Sequence, residues 1–230
     1  MNTLTAIVPF YNEERYLNDS VENLLKIKQI KEILLVDDCS TDNSHRIADN
    51  IVKKYNKVKL FTNSTNGGKG SCLKKVSKEI KTTHVIIHDA DLEYFPDDIV
   101  EMFEKSIDHK NSLILGSRFI GSKERINIYR RTYYANKLMS LFFSIINFYK
   151  ISDIATCYKL LPASFFSQVV LREKGFSIEI EILSKFLKIN KSIVEVPIKY
   201  NGRSYEEGKK IKTSDGFQYL LNTLKYKYFN

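Results

Sequence analysis

His84-Val85-Ile86-Ile87-His88-Asp89-Ala90-Asp91-Leu92-Glu93 is a short apolar run that ends in three acidic side chains at alternate positions. Three consecutive apolar residues suit a strand covered on both faces, and such strands present their functional residues at the carboxyl end. Asp89, Asp91 and Glu93 stand there. Side chains two apart project to one side of an extended backbone, so these carboxylates are spaced to share a divalent cation. The same residues also fit a solvated acidic loop that caps the next helix, and a short motif does not choose between the two.

Upstream, Leu4-Thr5-Ala6-Ile7-Val8 reads as a strand broken by Pro9, with Phe10-Tyr11-Asn12-Glu13-Glu14 as a loop before a helix from Tyr16 to Ile27. Glu32 to Val36 is a second strand that stops at Asp37-Asp38, and Ser40-Thr41-Asp42-Asn43-Ser44 offers N-caps for a helix to Lys54. Val58 to Phe61 is a third strand. Asn66-Gly67-Gly68-Lys69-Gly70 then turns into a helix from Ser71 to Ile80, and the quoted strand follows. This βα alternation predicts an α/β fold with a parallel, doubly wound sheet and a crevice along its carboxyl edge. Pro96, Asp97 and Asp98 suit the first turn of a helix and are read as structural. Leu113-Ile114-Leu115 is the next strand, ending at Gly116-Ser117-Arg118.

The 230 residues, 43% of them hydrophobic, suffice for a globular core. Cys39, Cys72 and Cys157 are odd in number and widely spaced, which excludes a disulfide framework or zinc site and points to a reducing compartment. The N-terminus runs into a strand pattern without a basic leader, so a cytoplasmic location is expected. The formal charge of +9 is unevenly shared: residues 1–120 hold 17 Lys+Arg and 18 Asp+Glu, whereas residues 121–230 hold 19 and 9. A basic half implies a polyanionic partner (nucleic acid, anionic lipid or a phosphorylated substrate), or simply a soluble lysine-rich surface.

Beyond residue 120 the βα rhythm breaks. Arg130-Arg131 leads into an apolar segment, 133–149, punctuated by Asn136, Lys137, Ser140, Ser144 and Asn147, which is too interrupted to span a bilayer. It reads as a helix lying in a membrane interface or as a core helix under a loop, and 213–229 mixes Tyr, Leu and Lys at helical spacing in the same manner. Pro162 to Leu171 and Glu179 to Lys188 read as helices, and Ser192 to Ile198, which carries Pro197, reads as an edge strand. Residues 201–210 combine two glycines with Arg203, Lys209 and Lys210, a composition suited to a loop that closes on phosphate.

The order of these pieces resembles the inverting family 2 glycosyltransferases of the GT-A fold, and within them the dolichyl- and undecaprenyl-phosphate sugar transferases. The matching parts are Val8 to Glu13, Val36 to Asp42, Asn66 to Gly70, Asp89-Ala90-Asp91, Gly116 to Phe119, Asp153 to Lys159 and Arg203 to Ile211. The resemblance implies one Rossmann-like domain with a mostly parallel sheet and helices on both faces. Residues 1–120 would form its nucleotide-sugar half and 121–230 its acceptor half. It implies a GDP- or UDP-hexose donor, a polyprenyl phosphate acceptor and a membrane surface, reached by attachment or through a membrane-protein partner, and no nucleic acid.

By the same resemblance, Pro9, Tyr11 and Glu13 hold the nucleoside, and Asp38 accepts a hydrogen bond from its base or ribose. Lys69 approaches the phosphates, Ala90 lies beside the donor, and Asp89, Asp91 and Glu93 hold Mg²⁺ or Mn²⁺. Much of the polyprenyl-phosphate branch has Gln at the third acidic site, so Glu93 adds charge there. Arg118, Arg131, Arg203 and Lys209 surround the acceptor phosphate, and Asp153 is the candidate base or orients the acceptor. A phosphate monoester, with a second pKa of about 6, attacks without a strong base.

Asp37 is read as a cap or turn residue, Glu179 and Glu181 as partners of arginines, His84 and His88 as structural, and Cys157 as packing. The rival readings are transfer to a glycan or protein hydroxyl, and a noncatalytic protein that binds anionic lipid or nucleic acid. A P-loop ATPase is excluded: Gly67-Gly68-Lys69-Gly70 lacks the spaced glycine before it and Ser or Thr after the lysine.

Overall fold

A computed structural model describes residues 2–127, 129–190, 192–203 and 213–229, the side chains of 213–215 excepted. β1 (Leu4–Phe10) is buried along its whole length, and β2 (Ile30–Asp37) and β4 (His84–Ile87) flank it in parallel. Val85, Ile86 and Ile87 are fully buried, each contributing about 1.5–3 kcal/mol of burial free energy, which is why an uninterrupted apolar triplet folds as a central strand. α1 (Leu17–Leu25), α2 (Ser44–Lys54), β3 (Val58–Thr62), α3 (Lys69–Val76), α4 (Asp97–Asp108) and β5 (Leu113–Ser117) complete the alternating half.

The second half supplies β6 (Arg125–Ile126), α5 (Arg130–Asn147), β7 (Lys159–Pro162), α6 (Ser164–Gln168), α7 (Ile178–Ile189), β8 (Ile193–Pro197), β9 (Tyr200–Asn201) and α8 (Thr213–Tyr228). The main sheet has seven strands in the order β3-β2-β1-β4-β7-β5-β8, with β6 and β9 paired separately. Every pair in it is parallel except those of β7, which runs antiparallel between β4 and β5. The crossovers through α1 and α2 run outward from β1, and the one through α3 returns past it. Right-handed connections therefore put α3 on the opposite face, and the switch point lies between β1 and β4.

Several elements differ from expectation, among them β1, which pairs with β2 through Pro9 to Phe10 instead of breaking at the proline. Lys159–Pro162 is a strand, and the helix predicted from Pro162 to Leu171 shrinks to Ser164–Gln168. Four residues that include a lysine carry too little apolar periodicity to read as a buried strand; Lys159 is fully buried because Glu179 meets its charge. β8 lies at the sheet edge, as its proline requires. Since β7 and β8 complete the sheet begun by β1, the two halves share one core.

Candidate active site

A cleft opens at the switch point, where the loops after β1, β2, β4 and β5 converge. Pro9, Phe10, Tyr11 and Glu13 line it from β1, Asp38 from β2, Asp89, Ala90, Asp91 and Glu93 from β4, and Arg118 from β5. Lys69, Glu179, Tyr200 and Arg203 close it from the other side, and Ala155, Phe176 and Tyr219 complete the wall.

The acidic stretch is not extended. Ala90 and Asp91 form a turn and Leu92 adopts the left-handed conformation (φ 60°), so the one-sided projection expected of an extended strand does not apply, although all three carboxylates line the cleft. Asp89 lies 2.7 Å from Lys69 Nζ. Asp91 Oδ1 accepts the Glu93 N–H at 3.2 Å, and its Oδ2 lies 3.2 Å from Arg203 Nη2. Glu93 is buried, and its carboxylate accepts the Tyr200 hydroxyl and the Arg203 N–H, each at 2.7 Å. Among the described residues no three His, Cys, Asp or Glu side chains gather as a metal-binding group. Burial pushes the Asp91 carboxyl up to about 7, with Glu93 and Asp89 adding to the effect. Burial acts in the same sense on Asp89, but Lys69 outweighs it and holds that carboxyl below its usual value.

The glycine-rich turn spends its amides inside the protein. Gly67 N–H and Gly68 N–H donate to Asp38 at 3.0 and 2.6 Å, and Gly70 N–H donates to the Lys174 carbonyl. A Cβ on Gly70 would fall 2.2 Å from the Glu173 carbonyl oxygen, so glycine is required here for close backbone approach. Lys69 is sandwiched between Asp89 and Glu179, the latter also at 2.7 Å, and Glu179 reaches on to buried Lys159. Burial disfavours the Lys69 charge, yet Asp89 and Glu179 hold it protonated. Asp38, besides the two glycines, accepts Asn63 Nδ2 at 2.8 Å.

Asp153 is fully buried, and its two oxygens accept Arg118 Nε and Nη2, both at 2.8 Å; Arg118 N–H adds a third bond at 3.1 Å. The pair does not use Nη1, and the guanidinium sits 4.9 Å from the Tyr200 ring centre. Arg131 lies exposed in the first turn of α5 and does not line the cleft, and Lys209 lies outside the described residues. His88 is wedged between Ser20 and Tyr158, both at 3.0 Å, and burial lowers its pKa to about 4, so it is neutral and structural. Asp37 binds Ser40 N–H and His45 in a turn. Among the interactions of the described residues, Glu179 holds two lysines, and Glu181 accepts the backbone N–H of Arg172 and Glu173, in place of the arginine pairing expected. Glu179 escapes sequence reasoning as a site residue; its only signal is a carboxylate in the first turn of a helix, flanked on both sides by isoleucine.

Beyond β5, Phe119 stacks edge-on against Tyr133 at the start of α5, with Lys137 5.1 Å from the Phe119 ring centre. α5 packs against α8. Its outward face leaves Tyr134, Leu138, Leu141, Ile145 and Phe148 exposed at heptad-like spacing, and α8 exposes Phe217, Leu221 and Tyr228. No helix among the described residues is long and apolar enough to cross a membrane.

A family model described as Glycosyl transferase family 2 matches residues 5–170, well over half of the chain. The chain is 29% identical over 222 residues to a dolichol-phosphate mannosyltransferase of Pyrococcus furiosus, covering 94% of this chain and 61% of that protein. It is 27% identical over 241 residues to a UDP-N-acetylglucosamine–dolichyl-phosphate N-acetylglucosaminyltransferase of Methanococcus voltae, covering 96% of this chain and 94% of that one. Glucosyl-3-phosphoglycerate synthase from Mycobacterium tuberculosis, solved with Mn²⁺, UDP and phosphoglyceric acid, superimposes with a TM-score of 0.76 at 14% identity. That match covers 100% of this chain and 80% of the synthase and shows a shared fold.

Proposed function

The chain belongs to glycosyltransferase family 2, and from that premise we propose that it moves a hexose from a GDP- or UDP-sugar to a polyprenyl phosphate, with inversion, at a membrane surface. The observation that carries this reading is a single cleft that joins the carboxylates Asp89 and Asp91 to the guanidinium groups of Arg118 and Arg203, near helices with an exposed apolar face. The names of both archaeal relatives specify a dolichyl or dolichol phosphate, and that acceptor chemistry suits an apolar face beside a cationic cleft.

The residues present fit a divalent cation, Mg²⁺ or Mn²⁺. Asp89 and Asp91 supply hard oxygen donors to one cleft, and burial with the neighbouring Glu93 and Asp89 raises the Asp91 carboxyl. Asp89 and Asp91 would hold the ion, which when bound stabilises the leaving diphosphate. Pro9, Tyr11 and Ala90 form the nucleoside wall, with Asp38 behind it fixing the Gly67-Gly68 turn. Lys69 serves as counter-charge to Asp89, and Glu93 anchors Arg203 through its backbone.

An acceptor phosphate monoester is largely dianionic near pH 7, so the chain's task is to position it and not to deprotonate it. Asp153, with both oxygens on Arg118, acts as a positioning residue that aims the guanidinium at the acceptor phosphate. Arg131 and the lysines near α5 and α8 meet anionic headgroups as the apolar stripe enters the interface. Incubating purified protein with MnCl₂, a panel of GDP- and UDP-hexoses and either short-chain polyprenyl phosphate or glycan acceptors tests the proposal. Hexosyl lipid is the expected product. Product only with a glycan, or salt-sensitive binding to anionic polymers without any turnover, overturns it.

A further inference from the structure

Arg203 occupies the electrostatic position of a second cation in the cleft. Its Nη2 lies 3.2 Å from Asp91 Oδ2 and 3.3 Å from Glu13 Oε1, and its Nη1 lies 3.1 Å from Glu13 Oε2. The guanidinium sits 5.1 Å from the Tyr16 ring centre. Since Asp91 Oδ1 already accepts the Glu93 N–H, both oxygens of Asp91 are engaged. A divalent ion on Asp91 would stand a few ångströms from a guanidinium on the same carboxylate, and like charges that close in a partly buried cleft repel strongly.

A second observation concerns the arginine itself. Its side chain is 11% exposed, and Nε is buried with no partner among the described residues. The clasp therefore satisfies the carboxylates but not the whole guanidinium fork, whose donors suit a phosphate at least as well. The Arg203 N–H remains tied to Glu93, so a displaced side chain stays at the cleft.

We propose that Arg203 is the resident counter-cation of Asp91. A divalent ion and the guanidinium take that carboxylate in turn, so that Arg203 sets the cation affinity of the site and is released toward phosphate when the ion binds. This rests on the donor-site reading above. Calorimetric titration of the full chain with MnCl₂ alone, without nucleotide sugar, tests it. Arg203→Gln is expected to bind Mn²⁺ about tenfold more tightly than wild type, the equivalent of about 1.4 kcal/mol. Arg203→Met, similar in volume, gives the same tightening should the Gln variant not fold, whereas Arg203→Lys stays near wild type. Equal or weaker affinity in the uncharged variants overturns the exchange. Asp91→Asn is expected to abolish Mn²⁺ binding in either background; binding that survives it overturns the site reading itself.

Discussion

The Asp91 carboxyl is raised even with Arg203 on its Oδ2, and the consequence is measurable. Burial first, then Glu93 and Asp89, push its carboxyl from 3.8 to about 7. Between those values the folded chain holds a proton that the unfolded chain has lost. The associated stability is full below about pH 4 and is lost as the pH rises through 7. Metal-free Asp91→Asn protein is therefore expected to melt roughly 2–8 °C above wild type at pH 8, with the gap narrowing toward pH 4. Scanning calorimetry in EDTA checks this, and MnCl₂ should raise the wild-type Tm but not that of the variant. Asp153 makes the complementary case. Asp153→Asn strands a buried Arg118 and is expected to cost about 3–5 kcal/mol in urea unfolding. Arg118→Met with Asp153→Leu should recover most of that stability without restoring transfer, separating the pair's structural load from its chemistry.

Among the elements, the glycine-rich start of α3 depends on partners distant in sequence. Gly68 and Gly70 press against Lys174 and Glu173, and Glu173 is in turn bound by Lys225 and Tyr226 of α8, each at 2.7 Å. Gly70→Ala sets a methyl group against the Glu173 carbonyl and is expected to destabilise the fold by about 2–4 kcal/mol. Hydrogen exchange should show the loss of protection concentrated in residues 68–76 and 172–175. The amides of Gly67-Gly68-Lys69-Gly70 suggest a phosphate cradle when read locally. In the fold those of Gly67, Gly68 and Gly70 are consumed by Asp38 and Lys174. β7 teaches the same point: its lysine is admitted to the sheet only because α7 brings Glu179 to it.

At the scale of the molecule, the basic excess of residues 121–230 belongs to the half that carries α5 and α8. An apolar stripe in a basic surround binds anionic membranes by insertion and by screened attraction together. Leu138→Glu with Leu141→Glu, both at exposed positions, should weaken binding to phosphatidylglycerol vesicles about tenfold while leaving the melting temperature within a degree or two. Vesicle co-sedimentation and a thermal melt read the two effects separately, and raising NaCl to about 0.5 M should weaken wild-type binding as well.

The sequence by itself determined the alternating α/β order, the buried central strands and the loops that meet at the crevice, because apolar periodicity and turn chemistry are local properties. It also placed Asp89, Asp91 and Arg118 at strand ends, where such folds expose their chemistry. Tertiary structure alone decided which charge answers which. Arg203 meets Asp91 across 112 positions, Lys69 is shared between Asp89 and Glu179, and both oxygens of Asp153 are taken by Arg118. Leu92, in the left-handed conformation, takes the acidic stretch out of the extended geometry that its alternation suggests. Charge pairing is settled by where folded loops bring side chains within about 4 Å, and buried charges must find partners there, whatever their distance along the chain.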